Sequence, residues 1–554
     1  MNGTEQDAIQ TGASEPEQFD AVIIGAGFSG LYMLHRLRST GFNVHVLEAA
    51  DDVGGTWWWN RYPGARCDIE SFDYSYSFDP TLEQEWTWSE RYATQPEILD
   101  YVNHVADRFG LRSNISFTTR MVDARWVDAR RTWRLTTDTG RTLEARFCVM
   151  AVGCLSRANR PEIDGIDEFT GRILHTGEWP HDGVDVTGLR VGVIGTGSSG
   201  IQSIPILAEQ AAALTVFQRT PAFTLPAMNA PLDPEAVAAF KARYREHREA
   251  TKHSHGGVLT SPSEDSALGA DEAERERRFE AAWNSGTLFG LLSSFSDLMI
   301  DPAANELAAD FVRAQISSIV NDQATAELLS PRSFPIGTKR LCLDTGYYAT
   351  FNQPNVSLVD LQTDPIQQIT ATGIRTSSGD IDLDLIVFAT GFDAMTGALL
   401  APTITGRDGV TLSEKWQAGP RTYLGIATAG FPNLFTITGP GSPSVLTNML
   451  VSIEQPVDWA AECISWMSAT GIDTIEPTVE AEDGWVDHVN EVAGFTLYPT
   501  GNSWYLGANI EGKPRVFMPY IAGVEIFRAV CDDVATSGYR GFELGGLDQP
   551  VTRP

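Results

Sequence analysis

The sequence predicts an α/β fold made from two copies of one strand–turn–helix–strand unit, and three observations carry that expectation. The apolar run Phe19-Asp20-Ala21-Val22-Ile23-Ile24 leads into Gly25-Ala26-Gly27-Phe28-Ser29-Gly30, and residues 31–37 then follow helical apolar spacing. The same order recurs as a strand over 189–194, the turn Gly195-Thr196-Gly197-Ser198-Ser199-Gly200, and a helix over 201–210. Of 554 residues, 42% are hydrophobic and 20% charged, which is ordinary globular usage and excludes a disordered or fibrous chain.

Taken in order, Gly41 ends the first helix, residues 43–48 read as the second strand and 147–153 as the third. In the second unit these places fall to 214–219 and to 383–388, the latter running into Ala389-Thr390-Gly391. Between 229 and 327 the composition shifts to Ala, Glu, Arg and Lys, and 234–251 and 270–283 read as surface helices. The expected organisation is a disordered polar tail (1–18), a first module in two parts (19–153, and 390–554 with a C-terminal segment), and a second module nested inside it (154–228 and 328–389). A helical insertion (229–327) interrupts the second module.

The formal charge of −32 repels phosphate backbones and anionic lipid, so neither nucleic acid nor membrane is an expected partner. No apolar run reaches the ~18 residues of a membrane span, and the first 18 residues lack the basic and apolar regions of a signal peptide. The six cysteines have neither metal-ligand nor CxxC spacing, so reduced thiols, no metal and a cytoplasmic setting are expected. The chain is expected to be a monomer or a weak homo-oligomer.

Both glycine turns fit the Rossmann-like dinucleotide fingerprint. The first Gly allows the tight turn, the second lets backbone approach a pyrophosphate, and the third permits close helix–strand packing. The helix N-terminus then offers unpaired N–H groups and the positive end of its dipole. About 20 residues after Gly25, Glu48 ends the second strand, where a carboxylate accepts from a ribose diol and repels a 2′-phosphate. The matching place in the second unit holds Arg219 and Thr220, which suit a 2′-phosphate. One site is therefore expected to take FAD or NAD and the other NADP(H), with hydride passing from nicotinamide to flavin. A disulfide reductase would need a redox Cys pair at CxxC or CxxxxC spacing, which does not occur.

Two further stretches resemble a known family. Phe169-Thr170-Gly171-Arg172-Ile173-Leu174-His175-Thr176-Gly177-Glu178-Trp179-Pro180 fits FxGxxxHxxxWP, and Gly54 to Asp68 (GGTWWWNRYPGARCD) fits GGxWxxxxYPGxxxD, the two signatures of type I Baeyer–Villiger monooxygenases. The sequences around Gly337-Thr338-Lys339-Arg340 and Gly439-Pro440-Gly441-Ser442-Pro443-Ser444 look most like the phenylacetone and steroid monooxygenase branch. The resemblance implies FAD in the first module, NADPH in the second, and insertion of one oxygen atom from O₂ beside a ketone carbonyl through a C4a-peroxyflavin.

Residue by residue, the resemblance implies that Arg340 stabilises the anionic oxygen species and that Asp68 orients it. It implies FAD contacts by Gly25, Gly27, Ser29, Gly30, Glu48, Gly55, Thr56, Trp57, Trp58, Trp59, Asp68, Tyr74 and Met449. NADP contacts are implied for Arg66, Cys67, Gly195, Thr196, Gly197, Ser198, Ser199, Gly200, Gln202, Arg219, Thr220, Lys339 and Trp504. Phe169, Gly171, His175, Trp179 and Pro180 carry the first signature, and Ser444, Val445 and Leu446 shape a pocket for aryl, cyclic or steroid-like ketones. A flavin N- or S-oxygenase and a non-catalytic NADP(H)-binding redox sensor are the competing expectations.

Overall fold

The computed structural model describes residues 15–546, so the expected tail lies outside the described residues as far as position 14. The first strand, Glu17–Ile24, opens inside the stretch expected to be loose. Its first residues are held because Glu17 pairs in parallel with Leu143 and its carboxylate accepts two hydrogen bonds from Arg141, both 3.0 Å.

Two sheets organise the chain. In the first, Glu17–Ile24 lies between Val44–Leu47 and Thr142–Met150, parallel to both, so that Ile24 faces Leu47 on one side and Met150 on the other. The lower half of Thr142–Met150 pairs antiparallel with Thr132–Thr137, and its upper half pairs in parallel with Leu434–Thr436. A strand nearly 300 positions downstream thus completes the first sheet. The second sheet is wholly parallel, in the order Val356–Asp360, Ala213–Gln218, Arg190–Ile194, Leu385–Phe388, Arg172–His175. Its inner strands read as continuous apolar runs because both faces are covered, one by the helix Ser198–Gln210 and the other by the small antiparallel sheet Ile366–Thr370, Gly373–Thr376 and Gly379–Asp382; Leu385, Ile386 and Val387 are each 0% exposed. The third strand of each unit sits beside the first, as the repeated pattern predicts.

The insertion contains Pro234–Lys241, Tyr244–Lys252, Glu272–Ser285, Pro302–Ile319 and Gln323–Leu329. Where one helix is expected over 234–251 there are two, separated at Ala242 and Arg243. The break turns Tyr244 and Arg248 toward the first module. Four of the five helices start on an aspartate (Asp233, Asp271, Asp301, Asp322) whose side chain accepts from a first-turn N–H. That is one place where the acidic composition is used.

Although it interrupts the second module in sequence, the insertion also packs on the first. The Arg248 guanidinium donates to Glu83 at 3.0 Å, to the Asp73 carbonyl at 3.2 Å and to the Ser75 hydroxyl, with only 6% exposure for Arg248 and Glu83 alike. His247 meets Asp73 at 2.5 Å, and Asn229 accepts from the Tyr92 amide. Breaking a buried ion pair from one side leaves an uncompensated charge, at a cost of about 3–5 kcal/mol. Arg248→Met is therefore expected to lower the urea midpoint of unfolding followed by tryptophan fluorescence, and the double variant Arg248→Met, Glu83→Leu to recover most of the loss.

Candidate active site

The two glycine turns are built alike. Gly25 has φ +103°, and a Cβ there would lie 2.6 Å from the Ala151 carbonyl oxygen at the end of the third strand. Gly195, with φ +111°, stands in the same relation to the Ala389 carbonyl. A side chain on Gly30 or Gly200 would run into the carbonyl of its own turn's first glycine. The helices Phe28–Ser39 and Ser198–Gln210 both begin after a glycine, Gly27 or Gly197, and neither N-terminus has a side-chain cap. Both therefore present orphan N–H donors. Gly197 has no atom within 4 Å of its Cβ position, so its backbone faces open space, whereas Gly27 is covered at 3.3 Å by the Cα of Gly55.

Around the first turn, the buried Glu48 carboxylate accepts from Ala26 N–H at 2.5 Å and Ala50 N–H at 2.8 Å, and burial raises its pKa. Ser29 is buried in the first helix, and Thr56 opens the short helix Thr56–Trp59 that follows Gly55. The three tryptophans of that helix diverge. Trp57 is buried, donates to the Tyr74 hydroxyl at 3.1 Å and lies edge-on to that ring; Tyr74 in turn meets Phe28. Trp58 points to the other side, with the Arg61 guanidinium 4.3 Å above its ring and His181 edge-on at 4.4 Å. Trp59 is half-buried.

At the second turn, the Thr196 hydroxyl donates to the Thr220 carbonyl at 3.0 Å, and Ser198 Oγ lies 3.2 Å from Cys342 Sγ. Arg219 is exposed, and Lys339 is half-buried with its Nζ 4.5 Å over the Phe334 ring. Burial, and then the like charge of Arg219, lowers the Lys339 pKa. Among the described residues neither cation has an acidic partner within ion-pair distance. In a chain with 72 acidic and 40 basic residues, two neighbouring cations without a carboxylate mark a place for an anion.

Between the modules lies Arg340. Its Nε and Nη2 donate to Asp68 Oδ2 at 3.1 and 2.7 Å, and its Nη1 donates to the Val445 carbonyl at 2.8 Å. Burial opposes the charge, but the Asp68 carboxylate more than offsets it, so the guanidinium is held above the usual arginine range. Three of five N–H donors are engaged in these bonds, which leaves two. Ser444–Leu446 forms a single 3₁₀ turn with Ser444 at φ +43° and fully buried. Val445 and Leu446 join an apolar cluster with Cys154, Met395, Tyr505 and Phe517, against which Met449 and Trp504 pack.

Sequence reasoning missed Tyr505 and Tyr498. Burial raises both phenols, Tyr498 to about 12, and in both cases the Arg340 charge opposes that rise, which places them around the guanidinium. Their sequence signal was only proximity to Trp504. The thiols are silent: burial pushes Cys154 and Cys342 to about 11 and Cys67 higher still. Arg66 turns to Glu90, 3.2 Å away.

The FxGxxxHxxxWP residues do not converge on one point. Phe169 and Gly171 lie by Asp384 at the N-terminal end of the edge strand Arg172–His175, whereas His175 lies at its C-terminal end, level with Phe388 and hence with Ile194 before the glycine turn. His175 Nδ1 accepts from Gly177 N–H at 3.0 Å, its Nε2 lies 3.3 Å from the Thr390 hydroxyl, and burial lowers its pKa. It is a neutral ring fixing the Thr390–Phe392 crossing. Trp179 is buried and Pro180 follows it, so this end of the signature holds a chain crossing rather than a reacting group.

Residues 22–266 match the family described as pyridine nucleotide-disulphide oxidoreductase, the dinucleotide-binding scaffold without a disulfide here, since all six cysteines are free. The chain is 45% identical over 524 residues to a Baeyer–Villiger monooxygenase of Pseudooceanicola batsensis, covering 94% of this chain and 95% of that one. It is 43% identical to the phenazine N-monooxygenase PhzNO1 of Lysobacter antibioticus, covering 96% and 98%. An oxidized steroid monooxygenase bound to NADP superposes with a TM-score of 0.92 at 52% identity, over 96% of this chain and all of that one. Both signatures, the two nested modules and this similarity along almost the whole length lead to one conclusion: the chain belongs to the type I Baeyer–Villiger monooxygenases.

Proposed function

We propose that the chain converts a hydrophobic ketone to an ester or lactone, using FAD, NADPH and O₂. FAD and NADP are the cofactors, and the residues present fit them. The first turn, Glu48 and the Trp57–Tyr74 pair offer uncapped N–H donors, a fixed carboxylate and aromatic edges for FAD. The second turn, with the open backbone at Gly197 and with Arg219 and Lys339, which are unpaired among the described residues, suits a 2′-phosphorylated dinucleotide. Bound flavin, reduced by NADPH, supplies the oxygen-activating chemistry; the chain supplies position and charge.

The observation that carries the reading is the Arg340–Asp68 pair. Asp68 accepts from two N–H groups on one edge of a permanently charged group, which cannot lose its proton as a lysine can. Two N–H donors remain, and the guanidinium stands beside the Val445 loop and its apolar cluster. Fixed donors aimed at a developing oxyanion in such a site are worth about 3–4 kcal/mol each. Val445, Leu446, Met449 and Trp504 shape the apolar side, which fits aryl, cyclic or steroid-like ketones.

A second reading, oxygenation of a ring nitrogen, is favoured by the similarity to a phenazine N-monooxygenase. The two differ in what they need from Arg340, because a nitrogen lone pair that takes up the oxygen atom directly forms no tetrahedral alkoxide. The deciding measurement is mass spectrometry of products from a panel of ketones and N-heteroaromatics with NADPH and ¹⁸O₂. One labelled oxygen in an ester or lactone is expected; label in N-oxides alone would overturn the ketone reading.

Arg340→Ala is expected to leave NADPH-driven bleaching of the flavin within a few-fold while ester formation falls by about 10²–10³. Normal ester yield from this variant would remove Arg340 from the reaction. Arg219→Ala should lose about tenfold in kcat/KM with NADPH and little with NADH. An equal loss with both would place the 2′-phosphate elsewhere.

A further inference from the structure

Gln202 belongs to the second module's helix Ser198–Gln210, yet its amide is engaged with the first module. Its Oε1 accepts from the Tyr62 hydroxyl at 2.7 Å and, at 3.4 Å, from the Arg66 backbone N–H. Its Nε2 donates to the Arg66 carbonyl at 3.1 Å. The side chain thus pairs with both backbone groups of Arg66, as a neighbouring strand would. The Tyr62–Arg66 turn also sits directly on the helix. Gly64 has φ +83°, and a Cβ there would run into the Gln202 carbonyl and come within 3.1 Å of the Ile206 side chain. Tyr62 is buried and burial raises its phenol, which therefore remains a neutral donor.

The other side of Arg66 is held as well, since it bridges to Thr94 and the Ala65 carbonyl accepts from Gln95 N–H. Two residues on, Asp68 grips Arg340. At about 3.3 Å per extended residue there is little slack between the Gln202 contact and that ion pair.

We propose that Gln202 is a positioning residue: it latches the dinucleotide helix of the second module to the Arg66–Asp68 segment of the first, so that the nicotinamide end and the Asp68–Arg340 pair are set in one geometry. The proposal rests on the two-cofactor reading above. It differs from the expectation that Gln202 serves as a dinucleotide contact, because both ends of the amide are occupied across the module junction.

The test uses the FAD-loaded wild-type protein, Gln202→Ala, Tyr62→Phe and the double variant. Anaerobic stopped-flow with NADPH separates dissociation constant from reduction rate, and hydrogen exchange without NADPH follows the amides of residues 62–68. Gln202→Ala should retain FAD, keep the NADPH dissociation constant within about twofold, and slow flavin reduction about tenfold or more. Exchange over 62–68 should rise. Tyr62→Phe should give a milder version of both effects, and the double variant should be little worse than Gln202→Ala alone because the two groups act through one contact. Unchanged exchange and unchanged reduction rate would overturn the proposal. So would a weakened NADPH affinity with an unchanged rate, which would make Gln202 a ligand contact. If NADPH fails to bleach the wild-type flavin, the functional reading fails, and the exchange data alone still decide whether the latch exists.

Discussion

One ion pair joins everything that matters at this site. Arg340 and Asp68 are 272 positions apart, and each stands at the end of a segment that another part of the fold must hold in place. Asp68 closes a glycine-rich signature packed on the first turn, while Arg340 follows the Gly337–Lys339 bend, on which the C-terminal segment rests at Thr338. Its third bond, to the Val445 carbonyl, brings in the loop ahead of the long helix Met449–Thr470. A half-buried guanidinium tolerates this setting only because a carboxylate compensates its lost hydration, so charge and position are fixed by the same contact.

The wider electrostatics follow a similar economy. A chain carrying −32 must draw two polyanionic cofactors toward itself. In the reading proposed above it does so locally, with two uncapped helix N-termini and with Arg219 and Lys339, which have no carboxylate partner among the described residues. Aspartates, meanwhile, cap the insertion helices, where a negative charge helps the helix dipole. The same composition therefore serves stability on the insertion and is held back from the phosphate sites.

The fold was legible where a physical requirement is local. Turn glycines need positive φ or close approach, and apolar runs mark buried parallel strands, so both units and their third strands could be read from the residues. What escaped depended on distant partners. The strand Leu434–Thr436 joins the first sheet with no motif to announce it. The break at Ala242–Arg243 answers to Asp73 and Glu83, more than 150 positions earlier. Glu17 and Gln18, expected to be loose, lie in the first strand, where Arg141 reaches back to Glu17.

For the site, sequence alone determined the residue types and their grouping by motif: two glycine turns, an acid in one and a base in the other, and the two family signatures. Only the tertiary structure decided how these groups meet. It split one signature between the two ends of an edge strand, sent Trp57 and Trp58 in different directions, put Tyr498 and Tyr505 beside Arg340, and turned Gln202 toward the other module. The reason is that local motifs encode backbone conformation and chemical type over a few residues, whereas orientation at a junction comes from packing between segments that the chain brings together only after both modules have formed.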